Sequence, residues 1–137
     1  MAFLILTLVW LAIAYLIGSI PFGLLVSQTC CRIDPRDSGS KNTGATNISR
    51  LCGTRYGIAT LLLDIGKGFL MLLLAMAISK SAIFLSLTAL AVLSGHMYSI
   101  FLDFKGGKGV ATTIGVFAAI TPFALLIALI LCALAIW

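Results

Sequence analysis

Charge is what this chain has least of. Asp, Glu, Lys and Arg make up 9% of the sequence, against 61% hydrophobic residues and a mean hydropathy of +1.19. A soluble domain carries roughly a quarter charged residues, so this scarcity argues against a water-soluble fold. Cysteine is sparse as well. Cys30, Cys31, Cys52 and Cys132 include no C-x-x-C pair, and Cys132 lies inside an apolar run, which argues against a metal or redox site. No Lys or Arg precedes the first apolar block, which continues to Val26. Although Ala12-Ile13-Ala14 has the small residues of a cleavage site, the block reads as a retained span.

What remains is long apolar blocks alternating with two short polar islands. A spanning helix needs about 20 apolar residues, and four blocks qualify: Phe3 to Leu25, Gly57 to Ile78, Ser81 to Ile100 and Val110 to Trp137. The expected fold is all-α, a polytopic transmembrane bundle of about four spans forming a single domain over residues 1–137. Ser79-Lys80-Ser81 is short enough to force the second and third spans into an antiparallel hairpin. The segments Ser27 to Tyr56 and Phe101 to Gly109 then share one membrane face. They carry Arg32, Arg36, Lys41, Arg50, Arg55, Lys105 and Lys108, against Lys80 alone opposite. That asymmetry places both loops in the cytoplasm and the N-terminus outside.

The first loop is too long for a simple connector, and its Gly39, Asn42, Gly44, Thr46 and Asn47 favour tight turns over disorder. The stretch Ser38 to Asn47, followed by Arg50, brings together glycines, hydroxyls, amides and a guanidinium. Such groups can cradle a phosphate. An ordinary loop obeying the positive-inside rule would have similar charge but needs fewer donors. In the second island, Phe104-Lys105-Gly106-Gly107-Lys108-Gly109 leads into the fourth span, with Thr112 and Thr113 in its first turn. A helix N-terminus behind glycines and Lys is an anion site. A basic anchor for lipid headgroups would not need three glycines. The motif lacks G-x-x-x-x-G-K-[ST], so nucleotide hydrolysis has no support.

Three ionisable residues lie within the apolar blocks. Asp64 and Lys67 are i,i+3 neighbours on one helical face, either a structural pair or a support for the polar site from below. His96, beside Gly95 near the cytoplasmic end of the third span, is either structural or a proton carrier. In the first span, Gly18-Ser19-Ile20-Pro21-Phe22-Gly23 predicts a kink or early unwinding.

Taken in order, Gly18 to Gly23, Asp34 with Arg36, Gly39 to Asn47 with Arg50, Asp64 with Lys67-Gly68, Gly95-His96-Met97-Tyr98 and Phe104 to Thr112 resemble the bacterial acyl-phosphate:glycerol-3-phosphate acyltransferase family. The resemblance covers Gly18 to Thr112. It implies transfer of a fatty acyl group from acyl phosphate to the 1-hydroxyl of glycerol-3-phosphate, giving lysophosphatidic acid and phosphate. It also implies an inner-membrane enzyme without metal, nucleotide or other cofactor, needing no acyl-carrier protein and binding no nucleic acid. Carried over by motif, Ser40, Arg50 and Lys108 are the catalytic candidates. Asn42, Thr46, Asn47, Lys105, Gly106, Gly107, Gly109 and Thr112 are the substrate- and phosphate-binding candidates, supported by Asp64, Lys67 and His96.

An activated acyl donor needs positioning and an oxyanion stabiliser more than it needs a protein nucleophile. No His adjoins Ser40 in sequence to act as its base, so direct transfer is expected, with a substrate phosphate accepting the proton. Three departures from the family pattern stand out. Lys41 occupies a position usually held by Gly, and Ser99 one usually held by Pro. The chain also ends at Trp137, before the later spans and a third motif with His and Asn, so a C-terminally incomplete or inactive acyltransferase is one expectation. The rival from another class is a small transporter or lipid-binding scaffold, in which Asp64 and Lys67 would line a pathway.

Overall fold

The computed structural model describes residues 1–136, all of whose regular structure is helical. The first apolar block forms α1 (Ala2–Ser19) and α2 (Phe22–Cys31), separated at Ile20-Pro21. The expected kink is therefore a full break, because Pro21 has no N–H and its ring clashes with the preceding turn. The carbonyls freed by the break find donors elsewhere. Ser99 Oγ donates to the Ser19 carbonyl at 2.6 Å, and Lys67 Nζ donates to the Ile20 carbonyl at 3.0 Å.

The long polar segment is shorter than its sequence suggests, since α2 runs to Cys31 and α4 (Thr54–Ile78) begins before Tyr56. Between them lie a turn-rich loop and the short helix α3 (Ala45–Cys52). The ends of α2 and α3 meet, and Cys31 and Cys52 are joined as a disulfide. No pairing was expected of these cysteines, because residues 21 apart in sequence come together only through the loop's fold.

At 25 residues, α4 is about 37 Å long and exceeds a hydrocarbon core of roughly 30 Å. Helix α5 (Ala82–Met97) returns antiparallel after the three residues Ser79 to Ser81 and passes into a 3₁₀ turn (Ile100–Leu102). The fourth apolar block departs from expectation. It forms α6 (Val110–Ile120) and α7 (Pro122–Ile136) instead of one helix, since Pro122 cannot continue a helix but fits its first turn. The expected end of that span, Trp137, lies outside the described residues. Among the described residues, three segments are long and apolar enough to cross a membrane: Ala2–Cys31, Thr54–Ile78 and Ala82–Leu102.

Packing is chiefly α1 on α5 and α4 on α6, and both pairs approach through glycine. A Cβ at Gly18 would strike the Val92 carbonyl, and one at Gly95 the Tyr15 carbonyl. In the second pair, Gly68 abuts Thr112 and Gly115 abuts Ile65. Small residues allow this backbone contact where lipid removes the hydrophobic drive between helices. The buried core is correspondingly small, comprising Ala14, Met71, Leu72, Val92 and Val116. Trp10 Nε1 ties α1 to α5 by donating to Thr88 Oγ1 at 3.0 Å.

Candidate active site

The first loop is organised by one side chain. Asn47 is 1% exposed, and its Nδ2 donates to the carbonyls of Pro35, Ser38 and Asn42 at 3.0, 3.2 and 2.9 Å. Its Oδ1 accepts from the Ser40 amide at 3.0 Å. Both ends of the Asn47 amide, expected as a phosphate donor, are thus engaged in holding the loop. Asn42 Oδ1 closes a smaller turn by accepting from the Gly44 amide at 2.8 Å. At the start of the loop, Arg36 forms a forked pair with Asp34, closest at 2.7 Å. These hydrogen bonds hold the Asp34 carboxyl below the usual carboxylate range and raise the Arg36 guanidinium.

The second loop is bolted to the end of α5. The Gly106 amide donates to the Met97 carbonyl at 2.9 Å and the Gly107 amide to the His96 carbonyl at 3.1 Å. Gly106 and Gly107 were expected among the phosphate-binding residues; their two N–H groups are engaged in this clamp. Gly109 takes φ 82° at the N-cap of α6, a left-handed geometry that glycine adopts without steric cost. The first amides of α6 are then left without intrahelical partners, beside Lys108.

Both islands meet in one cavity of about 260 Å³. It is lined from the first loop by Ser40, Asn42, Gly44, Ala45, Thr46 and Asn47, from α4 by Leu61 and Asp64, and otherwise by His96, Lys108, Gly109, Val110 and Ala111. Among the sequence candidates, Arg50, Lys67, Lys105, Gly106, Gly107 and Thr112 do not line it. Arg50 lies one turn beyond Thr46 on α3 and is exposed, as is Lys105. Thr112 is fully buried, packed on Gly68.

Below the cavity, Asp64 Oδ1 is 2.9 Å from Lys67 Nζ, and both side chains are about 95% buried. Pairing neutralises a carboxylate that would otherwise repel an incoming phosphate. The two residues pair as their spacing allows, and of the two Asp64 reaches the cavity lining. His96 lines the cavity that Ser40 lines, although they are 56 positions apart in sequence; no local signal could have joined them. A helix dipole, one free cation and a neutralised floor suit a phosphorylated ligand. Leu61, Val110 and Ala111 add an apolar side to the same cavity. Among the described residues no cluster of His, Cys, Asp or Glu could hold a metal.

The profile of a family described as glycerol-3-phosphate acyltransferase matches residues 8–137. A glycerol-3-phosphate acyltransferase of Maridesulfovibrio salexigens is 57% identical over 115 residues, 84% of this chain and 59% of the relative. Its counterpart from Nitratidesulfovibrio vulgaris is 54% identical over 96% of this chain and 40% of the relative. Among solved structures, PlsY, an integral membrane glycerol 3-phosphate acyltransferase, has been determined in a glycerol 3-phosphate form. It superposes with a TM-score of 0.83 at 41% identity over 90% of this chain and 62% of PlsY. A lysophosphatidic acid form gives 0.81 at 40% identity over 90% and 61% of the two chains. The chain thus spans about three-fifths or less of these proteins' lengths.

Proposed function

The chain belongs to the glycerol-3-phosphate acyltransferase family and is a multi-pass membrane protein, and we propose that it transfers a fatty acyl group from acyl phosphate to the 1-hydroxyl of glycerol-3-phosphate. The products are lysophosphatidic acid and inorganic phosphate. No acyl-carrier protein takes part. The domain works in a bacterial inner membrane with its polar loops in the cytoplasm.

The observation that supports this reading is the meeting of both glycine-rich islands at one cavity with a polar and an apolar side. Lys108 and the α6 N-terminus receive the phosphate of glycerol-3-phosphate. Ser40 and the amides near it face the acyl phosphate, whose carbonyl develops negative charge as the hydroxyl adds; fixed donors in a dry site stabilise that charge. The carbon–oxygen bond to phosphate then breaks, and the departing phosphate takes the hydroxyl proton. Arg50, exposed and one helical turn beyond the lining residue Thr46, serves as a further cationic donor to a bound phosphate.

The test is release of inorganic phosphate by membranes containing the protein, dependent on both acyl phosphate and glycerol-3-phosphate. Lys108→Ala removes one charge-assisted contact, so KM for glycerol-3-phosphate should rise about ten- to a hundredfold. Release that is independent of glycerol-3-phosphate would defeat the reading.

A further inference from the structure

Resting on the acyl-transfer reading above, we propose that His96 is a positioning residue. Its imidazole, faced by the Asp64–Lys67 pair on one edge, is the seat for the Gly106-Gly107 turn and so sets where Lys108 and the start of α6 stand against a substrate phosphate.

His96 touches the second loop twice. Its backbone carbonyl accepts the Gly107 amide, and its ring lies directly beneath Gly107. A Cβ added there would run into the ring's Nε2, Cε1 and Cδ2. The opposite edge of the ring looks down, with Nδ1 3.6 Å from Asp64 Oδ1. That separation is longer than a hydrogen bond, and contacts of this kind close when a site takes up its substrate. Asp64 is in turn held by Lys67, which also reaches the Ile20 carbonyl at the helix break. A continuous set of contacts thus runs from the α1–α2 break through α4 and the end of α5 to the residue preceding Lys108.

The geometry favours a seat over a proton carrier. Gly107 packs on the Nε2 edge of the ring and its amide is anchored on the His96 carbonyl, so the residue meets the loop through both its ring and its backbone. Displacing the loop by about 1 Å would move Lys108 and the α6 amides off the phosphate. A displacement of that size costs up to about a hundredfold.

His96 is the one histidine in the sequence, so protein labelled with ¹⁵N on imidazole nitrogens reports this ring alone. Its resonances should shift in Gly107→Ala, from above, and in Asp64→Asn/Lys67→Met, which removes both charges below together. Unchanged resonances in either variant overturn the proposal, whether or not the protein turns over substrate. In the acyl-transfer assay, Gly107→Ala should raise KM for glycerol-3-phosphate about ten- to a hundredfold while kcat stays within about threefold. His96→Asn shortens the side chain and makes room for the new methyl, so the double variant His96→Asn/Gly107→Ala should recover most of that KM. Losses that simply add, or a kcat collapse in His96→Asn at unchanged KM, overturn the seat. Failure of the unmutated protein to transfer acyl groups would sink the proposed reaction, while the ring resonances decide the positioning contact separately.

Discussion

At the scale of single residues, the two departures from the family pattern have physical explanations. Lys41 has φ 55°, so the chain places a side chain in the left-handed region at the position where the resemblance leads one to expect Gly. That conformation costs an L-residue roughly 1–2 kcal/mol. Allowing for the greater unfolded freedom of glycine, Lys41→Gly should raise stability by about 0.5–1 kcal/mol, read as a higher midpoint of thermal unfolding in detergent. Ser99 has φ −66°, a value proline would adopt unaided, but its hydroxyl additionally satisfies the Ser19 carbonyl. Asn47 is the residue whose importance the sequence disguised. Polar residues in a glycine-rich loop look like ligand donors, and only the fold reveals that this amide serves four backbone groups. Asn47→Asp keeps the shape and the contact to Ser40 but turns a carboxylate toward three carbonyls. It should destabilise the protein by about 3 kcal/mol or more, measured by the same unfolding; a change below 1 kcal/mol would remove Asn47 from this role.

At the scale of elements, apolar length located the spanning helices well, because a bilayer dictates that length. The breaks were less even: Gly18 to Gly23 signalled the one at Pro21, whereas the one at Pro122 went unread because hydropathy passes smoothly across it. Lys67 was legible as a partner of Asp64 from its i,i+3 spacing, whereas its second bond to the Ile20 carbonyl required the tertiary structure. This double duty makes a specific prediction. Lys67→Met leaves an unpaired buried carboxylate and takes one of two donors from the Ile20 carbonyl, which keeps the Phe22 amide, so it should cost about 3–5 kcal/mol. Asp64→Asn/Lys67→Met removes the orphaned charge and should recover more than half of that loss. A double variant no more stable than Lys67→Met would show that burial of the Asp64 charge is not what the pair controls.

At the scale of the whole molecule, the exposed apolar surface and the basic residues make separate statements about the membrane. Side chains such as Phe3, Leu62, Leu70, Ile83, Leu90 and Leu134 are 50% or more exposed; in water they would form patches far beyond what a soluble monomer carries, while in lipid they face their natural solvent. Depth is thereby set, but direction is not. Direction rests on the basic residues, with Lys80 at the α4–α5 connection and Lys105 and Lys108 in the second loop. Because α4 and α5 form a hairpin, these two regions must lie on opposite sides, and the excess of Lys and Arg is the ground for the proposed cytoplasmic side of the second loop. The assignment can be checked with all four cysteines, Cys30, Cys31, Cys52 and Cys132, replaced by Ser, since thiols of the Cys31–Cys52 pair would be free in a reducing cytoplasm. In intact cells, an impermeant maleimide should label Lys80→Cys, and should reach Lys105→Cys only once the membrane is opened. The reverse pattern would invert the orientation and move the substrate loops away from the cytoplasm. Labelling of both from one side would break the hairpin itself, and with it the reason the two glycine-rich islands share a cavity.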